Sequence, residues 1–320
     1  MGTTLADADL VLNAPPRPRR RRRRGALAPY LLVAPLIAAV MVALGWPLIQ
    51  QFLMSFQKFG MAQQFGAEPE WIGLGNYIEI LGNPTMWLVF ARSVVFCAVC
   101  ASLSMLLGGL LAILLTKLSN WARIMLQVSL LLVWATPVLV TMVIWQWLFD
   151  ARYGLINWVL SHIGLTGMAG FPWTSTPMGV FTIAGITVIW GSLPLIVFMI
   201  YSALTQVSRE VLEAAELDGA GPLMRFWEVT LPLITPAIMI VGLLQIVWDL
   251  RVFTQLYVLQ QAGVSVDETN LLGTYIFRLG IGQGQYGSAS ALATVVLLLT
   301  LLLTWPYIAR MFAQQKGSSA

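Results

Sequence analysis

Asp249 and Arg251 are ionisable residues set where a charge is hardest to keep. Both lie inside a block of apolar sequence, residues 234–259, about fifteen residues from its start. An ionisable group in a segment long enough to cross a bilayer is a functional-site hypothesis by default. Two residues apart on a helix, the pair points in different directions and does not simply form an ion pair. We read them as a polar patch lining a translocation path. The alternatives are contact with a partner subunit and a position already at the outer interface. Trp145, Trp190 and Trp248, three of thirteen tryptophans, are candidates to line the same path. Tryptophan at a membrane interface is the competing reading.

Other chemistries find no residues to carry them. Cys97 and Cys100 have CxxC spacing but sit in an apolar block. They are expected as small core residues on one helix face, because a redox or metal pair needs exposure and further ligands. There is one histidine, His162, so HExxH zinc chemistry is excluded. The three lysines, Lys58, Lys117 and Lys316, do not follow glycine, so no P-loop GxxxxGK[ST] exists. No GxSxG elbow is present. No catalytic residue, metal site or cofactor is expected in this chain, and energy must come from another chain or from a gradient.

The elements that must position these residues are helices in a membrane. Of 320 residues, 58% are hydrophobic and 10% charged, against about 25% charged in ordinary soluble domains. The apolar residues fall in long uniform blocks. A helix of about 20 residues crosses the hydrocarbon core, whereas barrel strands alternate. The blocks are residues 26–56, 89–116, 122–149, 177–204, 234–259 and 288–311, giving an all-α integral membrane protein with six transmembrane helices. Pro137 and Pro194 are expected to interrupt the third and fourth spans. Loops are expected at 57–88, 150–176 and 260–287. The first block is too long for a cleaved signal peptide. Four regions follow: a disordered Arg-rich tail at 1–25, the first span with its outer loop at 26–88, a transmembrane core at 89–312, and a tail at 313–320.

Basic residues set the orientation. With the N-terminus in the cytoplasm, the inner side holds the seven arginines between Arg17 and Arg24 plus Lys117, Arg123, Arg209, Arg225, Arg310 and Lys316. The outer side holds Lys58, Arg92, Arg152, Arg251 and Arg278, five against thirteen. Both termini are therefore placed in the cytoplasm. Beside a membrane span, the arginine run is explained by topology and attraction to anionic lipid, not by nucleic acid.

One inner loop, residues 206–236, is more than a connector. Its first part, from Glu210 to Leu217, is helix-forming, with Leu212, Ala215 and Leu217 available for packing. Asp218-Gly219 is a break where glycine can take a positive φ. Pro222 suits the first turn of a second helix. Leu231-Pro232 and Pro236 lead into the next span. A bent helical hairpin with acidic and apolar groups at a membrane surface implies docking to a soluble partner.

Glu213-Ala214-Ala215, Asp218-Gly219-Ala220, Phe226, Leu231-Pro232 and Pro236 closely resemble the EAA loop of permeases of bacterial binding-protein-dependent ABC importers. The pattern EAA–x₂–DGA–x₅–F–x₄–LP–x₃–P is met at every position. The resemblance implies a type I ABC importer permease fold and a coupling helix seated in a cytoplasmic ATPase. Glu213, Asp218 and Gly219 would then set the loop's shape and polar contacts, and Met224, Phe226 and Trp227 would supply apolar docking. Outer segments resemble the carbohydrate class of these permeases: residues 71–77 (Trp-Ile-Gly-Leu-Gly-Asn-Tyr), 153–157 (Tyr-Gly-Leu-Ile-Asn) and 286–291 (Tyr-Gly-Ser-Ala-Ser-Ala). Residues 260–264 depart from that class's T-x-G-G-P run. Residues 248–255 look more like permeases for chitobiose-type oligosaccharides.

The resemblance implies further partners: a second similar permease, two ATPases that bind ATP and Mg, and an extracellular sugar-binding protein, in a bacterial inner membrane. Asp249 and Arg251 would hydrogen-bond sugar hydroxyls, and the tryptophans would stack on sugar rings. A gradient-driven secondary transporter is the alternative, but internal repeats and further buried acids are missing. A lipid-modifying membrane enzyme would need clustered acids or histidines at an interface, and these are missing too.

Overall fold

A computed structural model describes residues 28–317, which divide into two compact units with the boundary between Gln50 and Gln51. The expectations placed on residues 1–25 lie outside the described residues, as do the last three residues of the expected C-terminal tail. In the first unit, α1 (Ala28–Val40), a π-helical turn at Met41–Gly45 and the start of α2 (Trp46–Met54) make one apolar run. The stretch Leu32–Met54 is long and apolar enough to cross a membrane.

The second unit opens with a small hairpin. β1 (Gln57–Lys58) pairs antiparallel with β2 (Glu70–Trp71), with the short α3 (Met61–Gln64) between them. The next helix, α4 (Gly75–Gly82), carries Asn76, which is buried. Its Nδ2 donates to the carbonyls of Ser55 and Gln57, each at 2.9 Å, and Ser288 Oγ donates to its Oδ1 at 3.4 Å. Gly287 N–H donates to Phe59 O at 2.8 Å. Two of the short motifs singled out in the sequence thus interlock. One closes the loop of residues 57–88, and the other begins the last helix. The third motif is also a clamp: Asn157 Nδ2 donates to Phe171 O at 3.1 Å, and Trp173 Nε1 donates to Asn157 Oδ1 at 2.7 Å.

The long helices follow from their caps and composition. Asn83 accepts from Thr85 N–H at 2.9 Å and Pro84 opens α5 (Pro84–Lys117), the arrangement that satisfies an otherwise orphaned donor. After α6 (Asn120–Ala135), α7 (Val138–Leu148) and α8 (Leu155–His162), Thr176 caps α9 (Pro177–Thr205) in the same way. α5 and α9 form the tightest pair. A Cβ at Gly108 would stand 2.4 Å from Ile196 Cγ2, so the contact requires glycine. α10 (Arg209–Leu217), α11 (Pro222–Met224) and a π-helical stretch, Arg225–Thr230, lead into α12 (Leu231–Asp249). α13 (Thr254–Gln260), α14 (Val266–Thr269), α15 (Leu272–Phe277) and α16 (Tyr286–Gly317) complete the chain.

Among the described residues, five helical stretches are long and apolar enough to span a membrane, and six if α6 and α7 count as one broken span. The expected six-span, all-α architecture is therefore present, and the protein is a multi-pass membrane protein. Large apolar side chains such as Leu106, Leu110, Val143 and Leu302 are exposed, as lipid-facing residues are.

One expectation about these spans is met and three are corrected. The third span is interrupted at Pro137, as expected: α6 and α7 meet at 104°. Thr136 is extended before Pro137, as a residue preceding proline prefers. The fifth block is also interrupted, since α12 ends at Asp249 and α13 begins at Thr254. Pro194, by contrast, does not interrupt α9, which runs unbroken through 29 residues. Packing from both sides holds the helix there, and only the hydrogen bond to the carbonyl of Trp190 is lost. Finally, residues 260–287, expected as a polar loop, are largely helical, with Leu271, Leu272, Thr274 and Tyr275 buried. Their periodicity is too short to see between glycines.

Candidate functional site

Two helix breaks face an unbroken helix, and a cleft of about 350 Å³ lies between them. Val133, Trp134, Thr136, Val138 and Thr141 come from the α6–α7 break. Thr187, Val188, Trp190, Gly191 and Ser192 come from the middle of α9. Trp248, Asp249, Arg251 and the residues to Gln255 come from the α12–α13 break. The volume is in the range of small-molecule sites. Discontinuous helices around a cavity are a recurring way for membrane transporters to present polar groups, because irregular backbone is tolerated where it lines a cavity.

The structure brings together four of the five residues expected on the path. Trp190, Trp248, Asp249 and Arg251 all line the cleft. Trp145 does not. It stands behind Trp190, edge-on at 6.1 Å between ring centroids, and stacks on Phe149. As expected from their spacing, Asp249 and Arg251 are not paired: Asp249 is 2% exposed whereas Arg251 is exposed. Gln245 Nε2 lies 2.9 and 3.0 Å from the two Asp249 carboxylate oxygens.

Sequence reasoning missed Trp134, Thr136, Thr141, Ser192 and Gln255 as cleft residues. The Thr136-Pro137 step was the available signal for the first group. Nothing in the sequence marked Ser192. Cys97 and Cys100 are free and buried on α5, and Cys97 Sγ donates weakly to Ile246 O at 3.6 Å. This agrees with the core reading.

The hairpin of residues 206–236 lies at the opposite end of α12, whose 19 residues span about 28 Å. Ser208 caps α10 by accepting from Val211 N–H at 3.4 Å. The helix ends in a complete Schellman motif. Ala220 N–H donates to Ala215 O and Gly219 N–H donates to Glu216 O, both at 3.0 Å. Gly219 has φ +85°, the left-handed conformation that this motif demands. Arg225 then pairs with Glu216 across the bend at 2.5 Å.

Glu213, Ala214, Asp218 and Met224 are exposed, and Ala215 and Ala220 are partly covered. Phe226 is half-buried and turns edge-on to Trp227 at 5.7 Å. The freest apolar groups are Leu217, 89% exposed, Leu223, 73% exposed, and Trp227. Leu223, Met224 and Trp227 border a shallow groove of about 470 Å³.

The segments between the spans carry two charged features. Two backbone N–H groups, those of Tyr153 and Arg152, donate to Asp150 Oδ1 at 2.8 Å, and these bonds hold its carboxyl below the usual carboxylate range. Arg278 pairs with Asp267, and Arg92 Nη1 donates to Asp267 O at 2.9 Å. The hydrogen bond from Arg278 is the main reason that the Asp267 carboxyl is also lowered.

A membrane-spanning helical unit with a polar cleft at a pair of helix breaks and a kinked amphipathic hairpin at the far end of one rod is a transport subunit. The chain belongs to the family described as binding-protein-dependent transport system inner membrane component, whose model matches residues 104–315. It is 38% identical to the diacetylchitobiose uptake system permease protein DasB of Streptomyces coelicolor, over 94% of this chain and 91% of that one. It is 29% identical to the trehalose/maltose transport system permease protein MalF of Thermococcus litoralis, over 88% of this chain and 93% of that one. Its fold matches a chain in the crystal structure of a bacterial ABC transporter involved in the import of the acidic polysaccharide alginate. That match has a TM-score of 0.77 and 19% identity, covering 91% of this chain and 96% of that one. The chain is thus an ABC importer permease, a transport subunit whose ATPase is a separate subunit.

Proposed function

We propose that this permease forms half of the path of a sugar importer and that its substrate is a neutral oligosaccharide of the diacetylchitobiose type. The observation that carries the reading is the placement of the cleft and the hairpin at the two ends of α12. A rigid helix transmits a displacement along its length, so a pull on the hairpin moves the Asp249 end of the cleft. Three features support the substrate class: the cleft's mixture of aromatic faces, hydroxyls and polar groups, the names of the relatives, and the likeness of residues 248–255 to chitobiose-type permeases.

In this reading the hairpin lies in the cytoplasm, with both termini. A second, similar permease completes the path. Two ATPases, which hold ATP and Mg, grip the hairpins, and an extracellular binding protein delivers the sugar. Glu213, Ala214, Ala215, Asp218, Gly219 and Ala220 shape the hairpin. Met224 and Trp227, with Leu217 and Leu223, give it apolar contact, and Phe226 braces it from inside. Trp190 and Trp248 stack on sugar rings while Asp249 and Arg251 bond hydroxyl or acetamido groups. Trp145 supports Trp190 from behind. ATPase closure biases a two-state equilibrium between inward- and outward-open paths.

The experiment is affinity purification of the tagged permease from its native membrane, followed by uptake measurements in vesicles. Co-purification with an ATPase and a second permease, and ATP-dependent uptake of N,N′-diacetylchitobiose, are the expected results. A permease that purifies alone and carries sugar down a proton gradient would overturn the proposal.

A further inference from the structure

Gln245 does not line the cleft, yet it bonds the carboxylate of Asp249, a residue that does. It is 1% exposed, one turn before Asp249 on α12. Its Nε2 lies 2.9 Å from Ser192 Oγ on α9 and 2.9 and 3.0 Å from the two Asp249 oxygens. An amide nitrogen has two hydrogens. One goes to Ser192, and the other is shared by the carboxylate oxygens.

While the Asp249 carboxyl is ionised, the direction of this chain is fixed. Ser192 Oγ donates its only proton to Val188 O at 2.8 Å, so it faces Gln245 as an acceptor. An ionised carboxylate accepts only. Two acceptors flank Gln245, and only the NH₂ end of its amide can meet both. Gln245 Oε1 has no partner among the described residues, so the amide gives up its acceptor bond to keep this orientation. Among the described residues, no cationic side chain is within ion-pair distance of Asp249. The neutral amide is its only side-chain anchor among the described residues.

We propose that Gln245, held by Ser192, is a positioning residue that fixes which way the Asp249 carboxylate faces in the cleft. This rests on the reading that Asp249 lines the sugar path. The link also ties the end of α12 to the middle of α9, two of the three walls of the cleft. The carboxylate therefore keeps its aim only while those two helices keep their present register.

The test uses the complete importer, reconstituted in vesicles with its partner permease, ATPase and binding protein. Uptake is measured for whichever of N,N′-diacetylchitobiose, maltose or trehalose the wild type carries fastest. Hydrogen bonds to charged groups predict a KM raised about tenfold in Gln245→Leu and in Asp249→Asn, and about threefold in Ser192→Ala, with maximal rate little changed. The exchange Gln245→Glu with Asp249→Gln keeps an amide–carboxylate pair but turns it round. It should keep membrane level and ATPase co-purification while leaving KM high.

Wild-type KM in both Gln245→Leu and Ser192→Ala, with a raised KM in Asp249→Asn, overturns the positioning role and leaves the path reading standing. Wild-type KM in Asp249→Asn overturns both. Full recovery of KM in the exchanged pair shows a purely structural link and also overturns the proposal. If Gln245→Leu fails to assemble, Ser192→Ala, which leaves Gln245 and Asp249 in place, decides by the same criterion.

Discussion

Replacing Gly219 separates the shape of the hairpin from its chemistry. Gly219 has φ +85° and its N–H closes the Schellman motif on Glu216. A Cβ there would meet nothing within 4 Å, so a side chain meets no steric clash with its neighbours. The whole penalty is local backbone strain, about 1–2 kcal/mol for an ordinary residue in the left-handed region and up to about 3 kcal/mol for a β-branched one. At about 1.4 kcal/mol per factor of ten, valine should shift the bent hairpin toward other conformers by roughly 10- to 100-fold. Asparagine tolerates this conformation better than alanine. The expected order of coupled transport is therefore Gly, Asn, Ala, Val. The assay is sugar uptake per ATP hydrolysed in the reconstituted importer, with membrane level as the control for folding. A series that ignores this order, or a Gly219→Val importer with wild-type coupling, would refute the argument that the left-handed turn shapes the docking element.

Three further outcomes are expected. Trp227→Ala should weaken ATPase co-purification by about 30-fold if Trp227 is a docking anchor, whereas Trp87→Ala, also exposed but outside the hairpin, should leave it unchanged. Asn76→Ala strands the carbonyls of Ser55 and Gln57, and the purified protein should unfold roughly 5–10 °C lower; an unchanged midpoint would mean that the interlock contributes nothing. The Asp267–Arg278 pair should show a pH signature. The Asp267 carboxyl is lowered in the folded state, so its stabilisation is present above the usual carboxylate range and is lost as pH falls through the lowered value. Because both side chains are substantially exposed, the contribution is under about 1 kcal/mol. Asp267→Asn should speed proteolysis of residues 261–270 at neutral pH and make no difference in strong acid, and an equal effect at both would remove the pair from the account.

Much of this molecule was legible in its chain. Six apolar blocks predict helices because lipid leaves the backbone no other partner than itself. The hairpin was legible because a left-handed turn and an N1 proline are local requirements that specific residues meet locally, although the Ser208 cap was not read from the sequence. Asp249 was conspicuous because a carboxyl stands out in an apolar block. What the sequence did not show was how these pieces meet. The 104° bend between α6 and α7 and the gap between α12 and α13 are far apart in the chain, and only packing against α9 turns them into one cleft. Trp145 and Trp190 look alike in sequence, yet the way α7 packs against α9 puts Trp190 in the wall and Trp145 behind it. Gln245 and Ser192 were invisible for the same reason: a hydrogen bond across 53 residues depends on which faces of two helices are turned together, and local sequence carries no record of that choice.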